Sequence, residues 1–432
     1  MNLAENAFAH WEYEEEKERQ ADVVLAREYY EGEQRTYLTP RLREFLNLDK
    51  TSKDSDFNLN IVRGVVEALT EKLIVGGFKC NDEASAAWAW SVWQGDRVDS
   101  KQNNVHEAAC RDGESFVIVD YDQALGELTF IPHERYTDAT CDGDNEGCKA
   151  TYRNDDDSQP LECVSKRWIE TQGNGRARQR LTVYYPDRIE KYAIIEGQWT
   201  PIDVETMIAE GDTAWPVPWL DNLGQPLGIP VAHFKNPGLR PEVADGIPMQ
   251  NAINKTLVDL LGAADLTAFR IFVAFGFNPT TDGQPPSSDG SNLMGIAPGQ
   301  IIGSSGAAND KSFEAVEGSD PTPLLNMIQQ LIHFLAIATR TPASRFNFTG
   351  AVASAETLKQ QDQSLLSKVA LRQMLFGDAW EDAMTIARRL QNKFGGGFEG
   401  ALLDESMEFQ TVWQDTAPRD RNVELQGTRF KL

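Results

Sequence analysis

Along the first eighty positions, apolar side chains return every three to four residues. In "YEEEKERQADVVLAREYYEGEQ", Val23, Val24, Leu25, Tyr29 and Tyr30 oppose a charged face. In "NLNIVRGVVEALTEKLIVGGF", Ile61, Val65, Val66, Leu69 and Leu73 share one stripe that stops at Gly76 and Gly77. Both spacings predict helices. A third, rich in Trp and Ala, is expected over 82–93, and a fourth over 100–111.

From residue 114 the period changes to two. "SFVIVDYDQALGELTFIPHERY" predicts a hairpin with turn residues Asp122 and Gly126. Further strands are expected at 149–153, 163–170, 180–185 and 189–194, and "LGIPVAHFKN" (227–236) closes the series. Residues 114–236 thus read as a mostly antiparallel layer on the N-terminal helices.

The helical period then returns. Asp245 can cap a first turn, Pro248 suits an early helical position, and apolar residues recur from Met249 to Phe275. This predicts a helix of roughly 30 residues within 245–277, about 45 Å long. Residues 278–318 are rich in Gly, Pro and Ser, with one expected strand pair, "GQIIGS" and "SFEAVE". A second helix is expected over 320–340. A third begins at a Ser354 cap and runs to Lys393, about 60 Å, with Gly377 as a bend and Gly395 to Gly397 as its end. "MEFQTVWQD" (407–415) reads as a late strand.

Between the last two helices lies "RTPASRFNFTGAVASAETLKQQ", which interrupts an otherwise continuous helical pattern. Phe346 and Phe348 flank Asn347 in a stretch of Gly, Ala, Ser and Thr. Two readings stay open: core anchors of a helix–helix loop, or rings displayed on that loop.

Composition narrows the function classes. The chain has 432 residues, 41% apolar and 25% charged, enough for two or three cores. Residues 1–20 are dense in Glu and Lys and lack a secretory h-region. The most apolar long stretch, 256–277, carries Asp259, Asp265 and Arg270, which are costly in hydrocarbon. The protein is expected to be made and kept in a cytosol, with no membrane partner. Cys80, Cys110, Cys141, Cys148 and Cys163 show no CxxC spacing, so idle thiols are expected rather than a disulfide framework or a zinc knuckle.

The net charge of −25 argues against gripping nucleic acid with the whole surface, though not against letting DNA slide past. Walker A, HExxH and GxSxG patterns are absent; after His133 and Glu134, Thr137 stands where a second histidine is required. Asp142, Asp144, Glu146 and Gly147 resemble the first half of an EF-hand loop. The twelfth position is Arg153, however, and an acidic hairpin tip is the expected reading. No cofactor, no resident metal and no enzymatic activity are expected.

The order of these elements resembles the portal proteins of tailed bacteriophages, in particular the long-tailed phage portal family. The likeness covers nearly the whole chain and rests on "YYEGEQ" (29–34), "NIVRGVVEALTEKL" (60–73), "GIPVAHFKNPG" (228–238), "INKTLVDLL" (253–261) and "ASAETLKQQDQSLLSKVALRQMLFGDAW" (353–380).

The resemblance implies an α+β portal fold. Its parts would be a helical and β-rich wing over 1–240, stem helices over 241–277 and 320–342, and a small α/β clip over 278–319. A tunnel loop would cover 343–353, a long kinked wing helix 354–394, and a late strand and tail 395–432, leaving the crown reduced or absent. It also implies a viral structural protein, a ring of about twelve subunits at one capsid vertex of the virion, which conducts double-stranded DNA in packaging and ejection as a head–tail connector. Partners would be the large terminase ATPase, a head–tail adaptor, and major capsid and scaffolding proteins.

Arg345, Phe346, Asn347, Phe348 and Thr349 would line the channel constriction. Lys255, Arg270 and Arg340 would face the stem channel or neighbouring subunits. Two alternatives are a metal-dependent nuclease built on Asp155, Asp156 and Asp157, and a monomeric adaptor.

Overall fold

The computed structural model describes residues 14–34, 58–137, 146–153, 159–171, 177–195, 198–202, 216–268, 271–275, 301–304, 312–316, 320–346 and 355–415. The chain divides into two units. One comprises Met1–Glu31, Asn60–Gly246 and Ala338–Leu432, the other Gly32–Leu59 and Ile247–Ile337. Helices and predominantly antiparallel sheets make it an α+β protein.

The first unit starts with helices α1 (Glu14–Glu31) and α2 (Arg63–Thr70), strand β1 (Val75–Lys79), and helices α3 (Glu83–Gly95) and α4 (Val98–Asp112). Asp82 caps α3, its carboxylate accepting from Ser85 N at 2.9 Å. The predicted hairpin forms as β2 (Glu114–Asp122) and β3 (Glu127–Glu134). Its turn closes where Asp122 Oδ1 accepts from Ala124 N at 2.8 Å and Gly126 takes φ 72°.

The expected single layer is two sheets. One has the order β10-β2-β3, with β10 at Val231–Lys235. The other has the order β4-β5-β6-β7-β8 (Gly147–Tyr152, Leu161–Thr171, Ala177–Tyr184, Arg188–Ile195, Gln198–Pro201), with β9 (Val217–Pro218) on β7. Phe116, Ile118, Cys148, Val164 and Val231 form the apolar cluster shared by both sheets.

The forty-residue helix α7 (Ala355–Phe394) crosses the first sheet, packing on β10 and β2. Phe376, Trp380, Ala383, Met384 and Ala387 are completely buried along it. Gly377 lies inside this helix, where β14 (Gln410–Trp413) approaches: Thr411 Oγ1 donates to the Gly377 carbonyl at 3.1 Å. The late strand pairs with β1, so the stretch read as the tail of the second helix turns into a strand after Thr70. Gly76 fits because a Cβ there would approach Val412 O to 3.5 Å and Gln414 Cγ to 3.1 Å.

In the second unit, α5 (Ile247–Ala268) is shorter than its periodicity suggested, and Ile271–Phe275 is strand β11. An uninterrupted apolar run satisfies helix and buried strand alike, and long-range pairing decides between them. The two expected strands form as β12 (Ile301–Ser304) and β13 (Ser312–Val316), yet they do not pair with each other. Both flank β11, β12 in parallel and β13 antiparallel. Helix α6 (Thr322–Thr339) follows. Among the described residues, no helix is long and apolar enough to cross a membrane.

Candidate functional site

The segment between α6 and α7 begins with a left-handed residue. Arg340 has φ 54°, which ends the helix. Thr341 and Pro342 are buried, and Ala343–Arg345 forms one 3₁₀ turn with Phe346 N bonded to Ala343 O at 3.1 Å. Arg345 extends to α2, its Nη1 lying 2.9 Å from Glu71 Oε2, with both side chains partly exposed. An ion pair of this exposure contributes at most about 1 kcal/mol and mainly orients the side chain.

Phe346 turns inward. It is only 6% exposed, and its ring edge lies 3.2 Å from where a Cβ on Gly64 would stand. A glycine early in α2 thus makes room for the ring, and Phe346 anchors the base of the segment in the single subunit. In the single chain this ring is packed and not displayed. Asn347, Phe348 and Thr349 lie outside the described residues, as does Ser354.

The remaining candidates separate. Lys255 is exposed on α5 and pairs with Asp259 at 2.8 Å, one helical turn away. Arg270 lies outside the described residues. Arg340 is exposed beside Thr339. Arg345 and Phe346 thus sit together at the start of the segment.

The acidic stretches behave as ordinary surface charge where they are described. Glu146 is taken by Lys166 at 2.6 Å, while a Cβ on Gly147 would meet the Tyr136 backbone at 2.6 Å. That close approach explains the glycine without a metal. His133 accepts from Lys166 Nζ at 3.2 Å, and burial together with that cation lowers its pKa to about 4. Asp142, Asp144, Asp155, Asp156 and Asp157 lie outside the described residues. Burial pushes the Cys163 thiol up to about 11 and the Cys148 thiol up to about 12, which leaves both unreactive. Among the described residues, no group of three metal-ligating side chains converges.

Two buried features of this region escaped the sequence reading. One is Gly64, whose signal was a glycine inside an apolar helical stripe. The other is the pair Lys368 and Arg372, one turn apart on α7 and both buried, whose partners come from far away in the chain.

The phage portal protein family of the SPP1 Gp6-like type matches residues 9–428 of this chain. The portal proteins of Mycobacterium phages D29 and L5 are each 24% identical over 360 residues, covering 81% of this chain and 67% of theirs. With nearly every residue inside that match, the chain belongs to the SPP1 Gp6-like phage portal protein family.

Proposed function

We propose that this portal protein acts as a closed ring, of about twelve copies, around a channel through which double-stranded DNA enters and leaves the capsid. The family match over 9–428 is the observation that carries this reading. The exposed apolar residues support the ring. Met327, Phe334 and Ile337 on α6, and Leu371 and Met374 on α7, are 40% to 62% exposed in the single subunit. Side chains of this kind, repeated at helical spacing on two helices, suit burial against a neighbouring copy.

On this reading, 1–240 is the wing, α5 and α6 are the stem, and 278–319 is the clip that docks the terminase ATPase and later a head–tail adaptor. Capsid and scaffolding proteins would meet the outer rim. Asn347, Phe348 and Thr349 would reach the channel, held at their base by Phe346 and Arg345. Lys255, Arg270 and Arg340 would face DNA or the next subunit. The net charge of −25 per subunit keeps such a channel from adhering to phosphates, since affinity for DNA grows with every phosphate neutralised. The matched family is structural, and no observation favours the nuclease alternative.

Native mass spectrometry with electron microscopy tests the ring. Closed rings of about a dozen subunits with a central hole are expected. Chains that stay monomeric even beside capsid and scaffolding protein would overturn the reading. Replacing Asn347 and Phe348 by Ala tests the channel: rings should assemble while DNA filling fails, and normal filling would remove these residues from the constriction.

A further inference from the structure

The chain passes between its two units four times, after Glu31, Leu59, Gly246 and Ile337. Residues of the first unit beside three of these passages pack on one another. A Cβ on Gly246 would stand 3.3 Å from Thr339 Cγ2 and 3.6 Å from Val62 Cγ2. Val62 is fully buried and Thr339 nearly so. The first two passages are also tied, because Asn60 Nδ2 donates to the Tyr30 carbonyl at 2.7 Å.

Three charged side chains close over this joint. Lys368 Nζ lies 2.5 Å from Glu242 Oε2 and donates to the Thr339 carbonyl, at the end of α6, at 3.0 Å. One turn later Arg372 pairs with the other oxygen of Glu242, and its Nε donates to Asn236 Oδ1 at 3.0 Å. Asn236 in turn holds the Arg240 carbonyl at 2.6 Å, and Glu242 N donates to Cys110 O at 2.9 Å. All three charged side chains are at most 10% exposed.

Such a cluster is not explained by stability alone, because well-packed apolar residues would serve as well or better. It holds two cations for one carboxylate. The surplus positive charge sits at the carboxyl end of α6, where the helix dipole and the Thr339 carbonyl compensate it. Lys368 therefore joins Glu242 to the last carbonyl of α6. Its hydrogen bonds are directional, so they fix the distance between the segment where the chain leaves the first unit (Glu242) and the point where it returns (Thr339).

We propose that Lys368, Glu242 and Arg372 form a positioning clamp that holds the outgoing and returning chain segments of the first unit together, and whose loss loosens these two segments without unfolding the rest of that unit. The clamp rests on this geometry and not on the channel reading.

Hydrogen exchange of the full-length protein tests it. In Lys368→Met, amides over 237–250 and 333–342 should exchange faster by on the order of tenfold, while 177–195 in the first unit keeps its protection. Lys368→Arg, which retains donors at that position, should restore most of the loss. Unchanged exchange at both ends, or a uniform rise that includes 177–195, overturns the clamp. If Lys368→Met does not fold, the double variant Glu242→Gln/Lys368→Met keeps the net charge of the cluster and should show the same local loosening. Failure of both to fold would equally overturn it, since the cluster would then belong to the global core.

Discussion

Trp380 and His106 meet through one hydrogen bond, the indole Nε1 donating to His106 Nε2 at 2.9 Å. On its other side the imidazole Nδ1 faces the Leu73 carbonyl at 3.0 Å, so Nδ1 carries the hydrogen and the neutral ring is satisfied at both nitrogens. The surroundings are aromatic: Trp380 lies 4.7 Å from both Trp93 and Phe234, edge to face, and Phe376 stacks on His106 at 5.4 Å. Helices α3, α4 and α7 and strand β10 are joined there.

This arrangement makes stability depend on pH. Burial lowers the His106 pKa from 6.5 to about 3, so between those values the unfolded chain binds a proton that the folded chain does not. The His106 contribution is complete above pH 6.5 and is lost as the pH falls towards 3, amounting to roughly 3–5 kcal/mol. Urea midpoints measured from pH 7 to pH 4 should fall more steeply for the wild type than for His106→Gln. Parallel profiles would contradict the assignment.

Phe346 and Phe348 should respond in opposite ways. Phe346→Ala empties the space beside Gly64 and should cost about 3–5 kcal/mol, lowering the melting temperature. Phe348→Ala should leave melting nearly unchanged while reducing DNA filling of particles. Calorimetry of the two variants separates anchor from channel residue.

Gly147→Ala should be destabilising although the residue lies in a plain strand. A Cβ there meets the Tyr136 nitrogen and Cα at 2.6 Å, and backbone cannot yield as a side chain can. A loss of about 1–3 kcal/mol is expected, read by thermal unfolding against Gly77→Ala, where a Cβ would meet nothing within 4 Å.

Asp112 is fully buried and receives two guanidinium groups. Arg111 Nε donates at 2.7 Å and Arg27 Nη2 at 2.6 Å. Burial works to raise its pKa, but the hydrogen bonds and charges of Arg111 and Arg27 outweigh it and hold the carboxyl below the usual carboxylate value. Its stabilising effect is thus present above pH 3.8 and lost as the pH falls through its lower folded value. Asp112→Asn should cost about 2–4 kcal/mol at neutral pH, because Arg111 and Arg27 lose their buried carboxylate and keep the half-exposed Glu134 between them. A chemical unfolding curve at pH 7 checks this.

The long helices were legible because repeated burial of one face writes a period into the chain: α6 and α7 stand within two residues of where their stripes placed them. The hairpin at 114–134 was legible for the same reason, with its turn chemistry as punctuation. β1 and β11 were not. β1 contains the two glycines that read as a helix stop and β11 is a short apolar run, and the strand state of each depends on partners distant in the chain, β14 for the first and β12 and β13 for the second. Periodicity carries no information about such partners.

The candidate loop divides along the same line. Its existence, and the interruption it makes between two helices, could be read from Pro342 and the small residues that follow. That Phe346 turns onto Gly64 could not, because nothing local to either residue names the other.

The alternation of helical and strand periods determined an α+β chain with its long helices in order, and the succession of motifs determined the portal family. Only the tertiary structure decided which way Phe346 turns, which nitrogen of His106 carries the proton, and that Lys368 and Arg372 share Glu242. Burial pattern is a property of each segment by itself, whereas a hydrogen bond or a close contact needs two positions brought together by the whole fold.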